Sequence, residues 1–197
     1  MATRKTTDKK KSPAGQLRIV AGNWRSRLLQ VAALPGLRPT PARVRETLFN
    51  WLAPRIHGAN CLDLCAGTGA LGIEALSRGA AHVVFIEQSV VAADTIRSNI
   101  ASLQATGAEI LTVDARRFLK GPISTMFDIV FLDPPFADGL YDELCRLLSE
   151  QRWLAADARI YIELDKDQPQ PHLPGNWCVL KNKTAGQVRY MLARPED

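Results

Sequence analysis

The chain predicts an α/β fold: a mostly parallel, seven-stranded sheet with helices on both faces, preceded by a small β-hairpin and helix. Three observations predict it. From about residue 60 onward, short apolar runs alternate with amphipathic stretches at helical spacing, the pattern of parallel strands buried on both faces. The last 20 or so residues form two strand-like runs around a turn, which would add antiparallel edge strands. Ahead of residue 60 lie alternating residues broken by Gly22, then a turn and one amphipathic helix.

The elements follow in order. Residues 1–15 are rich in Lys and Thr, nearly devoid of apolar side chains, and read as a disordered basic tail. QLRIVAGNWRSRLLQV reads as a hairpin decorated by Arg18, Arg25 and Arg27. In PGLRPTPARVRETLFNWLAP, Thr40 is the expected N-cap with Pro41 at the first helical position, and Pro54 ends the helix. Val44, Leu48, Trp51 and Leu52 share one of its faces. NCLDLC then forms a strand, AGTG a loop and ALGIEALSRG a helix. HVVFIE, EILTVD, FDIVFLD and ARIYIEL give four further strands; SVVAADTIRSNIASLQAT, ARRFLK and GLYDELCRLLSE are the helices between them. The expected organisation is tail 1–15, hairpin and cover helix 16–57, and α/β domain 58–197. Trp24 and Trp51 are expected in the core or at a segment contact.

Composition excludes several classes. A hydrophobic fraction of 46% with 23% charged residues is ordinary for a globular chain of 197 residues, and no apolar run nears the ~20 residues needed to span a bilayer. The basic N-terminus has no apolar stretch behind it, so a secretory signal is not expected; a cytoplasmic address is. Cys61, Cys65, Cys145 and Cys178 match neither zinc nor C-x-x-C spacing, and His57, His82 and His172 have no partners at ligand spacing, so neither metal nor disulfide is expected. The net charge of +5 is unevenly held. Residues 1–60 carry 12 Lys and Arg against 2 Asp and Glu, the remainder 13 against 18. A segment at net +10 beside one at −5 points to a polyanion partner.

In an open parallel sheet, ligands bind beyond the carboxyl ends of the strands. Four successive strands end in Asp63, Glu87, Asp114 and Asp133. Each acid alone could cap a following helix or sit in solvent; four on one rim make an anionic crevice. The first is followed by Ala66-Gly67-Thr68-Gly69, whose glycines let backbone approach a ligand. The loop is not a P-loop, and it is read as lacking the third glycine of G-x-G-x-x-G, with Ala70, Leu71 and Gly72 given to the helix. Glu87 stands where an acid accepts both ribose hydroxyls. Asp63 beside the loop would repel a pyrophosphate but welcome a cation, and Asp114 could accept from an adenine amine. A cationic adenosine ligand is S-adenosylmethionine.

At this point the residues resemble a family. LDLCAGTGALGIEAL is similar to the first motif of class I S-adenosylmethionine-dependent methyltransferases, which are Rossmann-like, and DPPF to their D/N-P-P-[YF] motif for base amino groups. LRIVAGNWRSRLL, GLRPTPARVRETLFNWL and KTAGQVRYML resemble the RsmD group, over nearly everything after residue 15; Cys65, where phenylalanine is commoner, is a conservative departure. The resemblance implies methylation of guanine N2 in bacterial 16S ribosomal RNA, at position 966, within a partly or fully assembled 30S subunit, by a monomer. It implies catalytic roles for Asp133, Pro134, Pro135 and Phe136. Asp133 and the Pro134 carbonyl would accept the amine protons, and Phe136 would stack on the flipped base. Asp63, Ala66, Gly67, Thr68, Gly69, Glu87, Asp114 and Ala115 would hold the cofactor. Arg18, Arg25, Arg27, Arg38, Arg43 and Arg45, with Lys9, Lys10 and Lys11, are the candidates for holding RNA phosphates; Arg43 and Arg45 fall on different helical faces and are not expected to share one role, and the sequence leaves open which arginine meets RNA and which the cofactor. The rival expectations are an adenine-N6 methyltransferase on DNA or RNA, a non-catalytic RNA-binding factor, and an NAD-type oxidoreductase, which Asp63 disfavours.

Overall fold

The computed structural model describes residues 15–134 and 140–196. A two-stranded antiparallel ribbon, β1 (Gln16–Arg18) with β2 (Leu28–Gln30), comes first, followed by α1 (Ala42–Leu52). The α/β part runs β3 (Asn60–Asp63), α2 (Ala70–Ser77), β4 (His82–Ile86), α3 (Val90–Leu103), β5 (Ala108–Leu111), α4 (Ala115–Leu119), β6 (Phe127–Leu132), α5 (Leu140–Glu150) and β7 (Leu154–Asp165). The antiparallel pair β8 (Trp177–Ala185) and β9 (Val188–Pro195) completes it.

The sheet is seven-stranded and mostly parallel, as the alternating pattern implies, and has the order β5-β4-β3-β6-β7-β9-β8. β3 pairs in parallel with both β4 and β6, so the chain order reverses there, and the switch point lies over the carboxyl end of β3. Two apolar clusters cover the sheet faces. One joins the hairpin and α1 to the sheet through Leu17, Ile19, Leu29, Leu48, Phe49, Phe85 and Phe131; the other contains Val130, Leu144, Leu148, Trp153 and Ile160. Trp51 is partly buried and stacks on Tyr190, with ring centroids 5.4 Å apart.

Local expectations shift in two places. The third strand of the α/β part stops at Leu111, because β5 is the sheet edge and only β4 pairs with it, through Ile86↔Leu111. Thr40 does not cap α1: the helix begins at Ala42, its cap position is Pro41, and no side chain caps it. The Thr40 side chain is buried near Glu163 at the cavity wall instead. Among the described residues no helix is long and apolar enough to cross a membrane.

Candidate active site

The carboxyl ends of β3, β4, β6 and β7, the start of α4 and the 34–41 turn enclose a cavity of about 740 Å³. That volume suits a drug-sized ligand or cofactor. Asp63, Ala66, Gly67, Thr68, Glu87, Asp114, Ala115, Asp133 and Pro134 all line it. Gly69 is not among its walls; at φ +73° it sits at the N-cap of α2 and turns the loop into that helix. Pro135 and Phe136 lie outside the described residues.

Each acid is held differently. Asp63, 3% exposed, accepts the Gly72 amide at 2.9 Å. Burial pushes its carboxyl up to about 7; the nearby Glu87 charge adds to this and the Gly72 amide opposes it. Glu87 accepts the Gly67 amide on one oxygen (2.8 Å) and the Ser89 amide on the other (2.7 Å). Asp114 is both cap and wall. Its carboxylate accepts the Arg117 amide at the start of α4 and pairs with Arg116. Burial works to raise it, but hydrogen bonds from Arg116 and Arg117 hold it below the usual carboxylate range. Asp133 follows β6, and burial, then the Glu163 and Asp63 charges, raise its carboxyl well above that range.

The glycine loop needs a correction. Gly67, Gly69 and Gly72 do stand at G-x-G-x-x-G spacing, and a Cβ at Gly72 would meet the Phe85 ring at 2.2 Å. Gly72 therefore lets α2 press onto β4, the helix–strand role of a third glycine. A pyrophosphate remains disfavoured for another reason: the Gly67 amide that would hold a phosphate already donates to the Glu87 carboxylate.

The arginines divide. Arg18, Arg25 and Arg27 are exposed on the ribbon, Arg43 is exposed on α1, and Arg38 is exposed at the cavity wall. Arg45 does not belong with them. It is 2% exposed and donates to Glu74 (2.9 Å), the Thr40 carbonyl (3.1 Å) and the Arg18 carbonyl (2.8 Å), so it fastens segments together and offers RNA nothing. Lys9, Lys10 and Lys11 lie outside the described residues.

Several site residues escaped the sequence reading. Glu163, at 6% exposure, lines the cavity from β7; the Tyr161 hydroxyl donates to its Oε2 at 2.7 Å. Burial raises its carboxyl despite hydrogen bonds from Tyr161 and Thr40. The Tyr141 hydroxyl donates to the Glu163 carbonyl at 2.6 Å and lies 3.4 Å from the Pro134 carbonyl. The signal was present: β7 ends in ELD, so the strand-end rule applied to four strands holds for a fifth. Among the described residues, no group of three or more His, Cys, Asp or Glu side chains is placed to hold a metal.

Comparisons with known proteins agree with this geometry. The family model described as conserved hypothetical protein 95 matches residues 17–194. The chain is 49% identical over 187 residues to ribosomal RNA small subunit methyltransferase D of Escherichia coli (strain K12), spanning 94% of this chain and 93% of that protein. It is 48% identical over 181 residues to the protein of the same name from Haemophilus influenzae, covering 90% and 93%. The solved structure of a putative methyltransferase, yhhF, from Escherichia coli superposes with a TM-score of 0.85 at 46% identity, covering 92% of this chain and 99% of that one.

Proposed function

The chain belongs to the family described as conserved hypothetical protein 95, the RsmD family, and on that premise we propose that it methylates guanine N2 in 16S ribosomal RNA. The donor is S-adenosylmethionine, the target guanine 966, and the setting a partly or fully assembled 30S subunit in the cytoplasm. One observation carries the reading. A carboxylate, Asp133, and an adjacent carbonyl, Pro134, sit in the same cavity as the glycine loop and Glu87.

The walls fit the donor. Asp63, Asp133 and Glu163 are drawn together in a low-dielectric cavity, and burial raises all three carboxyls, the mark of an anionic pocket short of a cation. A sulfonium supplies that charge together with an electrophilic methyl. Glu87 would accept ribose hydroxyls, Asp114 with Ala115 would meet the adenine, and Asp63 with Ala66, Gly67 and Thr68 would receive the charged amino-acid end.

The chain's own residues then deal with the amine. A base amine is a poor nucleophile because its lone pair is delocalised into the ring. Asp133 accepts one of its protons and the Pro134 carbonyl the other, which localises the pair on nitrogen. Proline fixes its own φ, and Tyr141 lies beside the carbonyl, so the acceptor is held in place before the base arrives. Asp133 is also suited to take the departing proton, since burial and the neighbouring acids make its carboxylate more basic than an exposed one. Phe136 would stack on the flipped base, Arg38 would bind RNA phosphates at the cavity wall, and Arg18, Arg25, Arg27 and Arg43 would bind others on the ribbon and α1. Exposed and basic, they flank an otherwise acidic domain.

Nucleoside mass spectrometry of 16S RNA from a deletion strain tests the proposal. N2-methylguanosine at position 966 should vanish and return with the wild-type chain but not with Asp133→Ala. An unchanged N2-methylguanosine level in the deletion strain would overturn it.

A further inference from the structure

Beyond its share in the anionic pocket, Glu163 has been given no role toward the base. It is the largest charge acting on Asp133, it is nearly fully buried, and the Tyr161 hydroxyl holds it in one orientation. Its position follows from the sheet. β6 and β7 are parallel neighbours with Leu132 paired to Ile162, so Asp133, just past the end of β6, comes beside Glu163 on β7. Adjacent strands run about 4.8 Å apart and paired side chains leave the same face. Both carboxyls therefore emerge side by side, and both line the cavity. A buried acid without a cation is costly. A purely structural reason for Glu163 is weak, because the Tyr161 hydroxyl could be satisfied by a neutral acceptor at the same place.

The chemistry of the base edge gives it a use. Guanine presents three N–H donors in a row: N1–H and the two hydrogens on N2. An ionised carboxylate only accepts. Asp133 and the Pro134 carbonyl account for the two N2 hydrogens, leaving N1–H without an acceptor. The geometry points to Glu163 as the specificity-determining residue that accepts guanine N1–H, so that the cavity reads the base as guanine before its amine is methylated. This rests on the guanine-N2 reading above.

Adenine carries a lone pair at N1. Glu163 would face it with another, which loses the hydrogen bond and leaves a buried acceptor unpaired. The same set would therefore reject adenine even though Asp133 and Pro134 suit any exocyclic amine. Thr40 extends the arrangement to the N-terminal turn: with Arg38 it lines the same cavity as the residue that reads the base.

The test uses 30S subunits reconstituted with 16S RNA holding guanine or 2-aminopurine at the target position. 2-Aminopurine keeps the amine and replaces N1–H with a lone pair. Single-turnover methyl transfer is measured for the wild-type chain, Glu163→Gln and Tyr161→Phe, each first shown by calorimetry to bind S-adenosylmethionine. The wild-type chain should favour guanine by about tenfold to a hundredfold. Glu163→Gln, whose amide can donate or accept, should shrink that ratio to within about threefold. Tyr161→Phe should shrink it partway, by freeing the carboxylate to reorient. A ratio unchanged in both variants would overturn the role of Glu163. If the wild-type chain forms no N2-methylguanosine on the guanine subunits, the guanine-N2 reading itself fails, a result separate from any change of ratio. Should Glu163→Gln fail to bind the cofactor, the Tyr161→Phe ratio decides alone: unchanged, it sinks the proposal.

Discussion

Two buried carboxylate sites lie on the same side of the sheet and are solved in opposite ways. Glu74, on α2, is 0% exposed. One of its oxygens accepts the Val20 amide and Arg45, the other the Ala21 amide and Arg78, all at 2.9 Å. The charge is paired twice and its lone pairs are used, so the site ties the N-terminal segment, α1 and α2 into one unit. Around the cavity, Asp63, Asp133 and Glu163 are also shielded, yet none has an ion pair among the described residues, and burial raises all three. On the proposed function, the difference separates structural from functional charge. A carboxylate whose partners come from its own chain holds the fold together; one that lacks them waits for a ligand's cation or N–H donors.

Substitutions sharpen that contrast. Asp133→Ala should lower kcat by about 10²–10⁴-fold while cofactor affinity, read by calorimetry, stays within about threefold. A matching loss of affinity would move Asp133 from the amine to the cofactor. Glu74→Ala should cost about 3–5 kcal/mol in urea unfolding, because it strands Arg45 and two backbone amides. A cost below about 1 kcal/mol would mean the two sites do not differ as described. Glu87→Gln should weaken S-adenosylmethionine binding by about 1–3 kcal/mol if the carboxylate accepts ribose hydroxyls. Unaltered binding would remove Glu87 from the cofactor set.

The smallest effect concerns pH. Asp63 titrates near 7 in the folded chain and near 4 when unfolded, so between those values the folded state binds more protons. The stability of the cofactor-free protein should then fall as pH rises from about 4 to about 7. Asp63→Asn should flatten part of that slope, the remainder belonging to Asp133 and Glu163. Chemical unfolding at several pH values measures it, and an identical slope in the variant would show that Asp63 is not the group responsible.

Legibility in the sequence followed the range of the interactions. The alternation of strands and helices, the glycine loop and the four rim acids are patterns of neighbouring residues, and they predicted the sheet and most of the cavity. Gly72 was set aside although its spacing was in plain view; its role depends on Phe85, a residue on another element. Thr40 looked like a cap because Thr-Pro before an amphipathic run is a local signal. It lies instead at the cavity wall, with an acid more than 120 residues away in sequence. Arg45 read as one more cation in a basic segment, since nothing near it in sequence reveals Glu74.

By itself, then, the sequence determined the α/β fold, the acidic rim with its glycine loop, and the excess of positive charge ahead of residue 60. These are consequences of periodicity, backbone freedom and composition, which act over a few residues. Only the tertiary structure decided which charges are spent on the fold and which are left for a ligand. A charge is neutralised by whatever lies within a few ångströms, and that neighbour is chosen by chain crossings no local pattern records. Glu74 found two arginines and became a clamp. Glu163 found Asp133 and became part of the site.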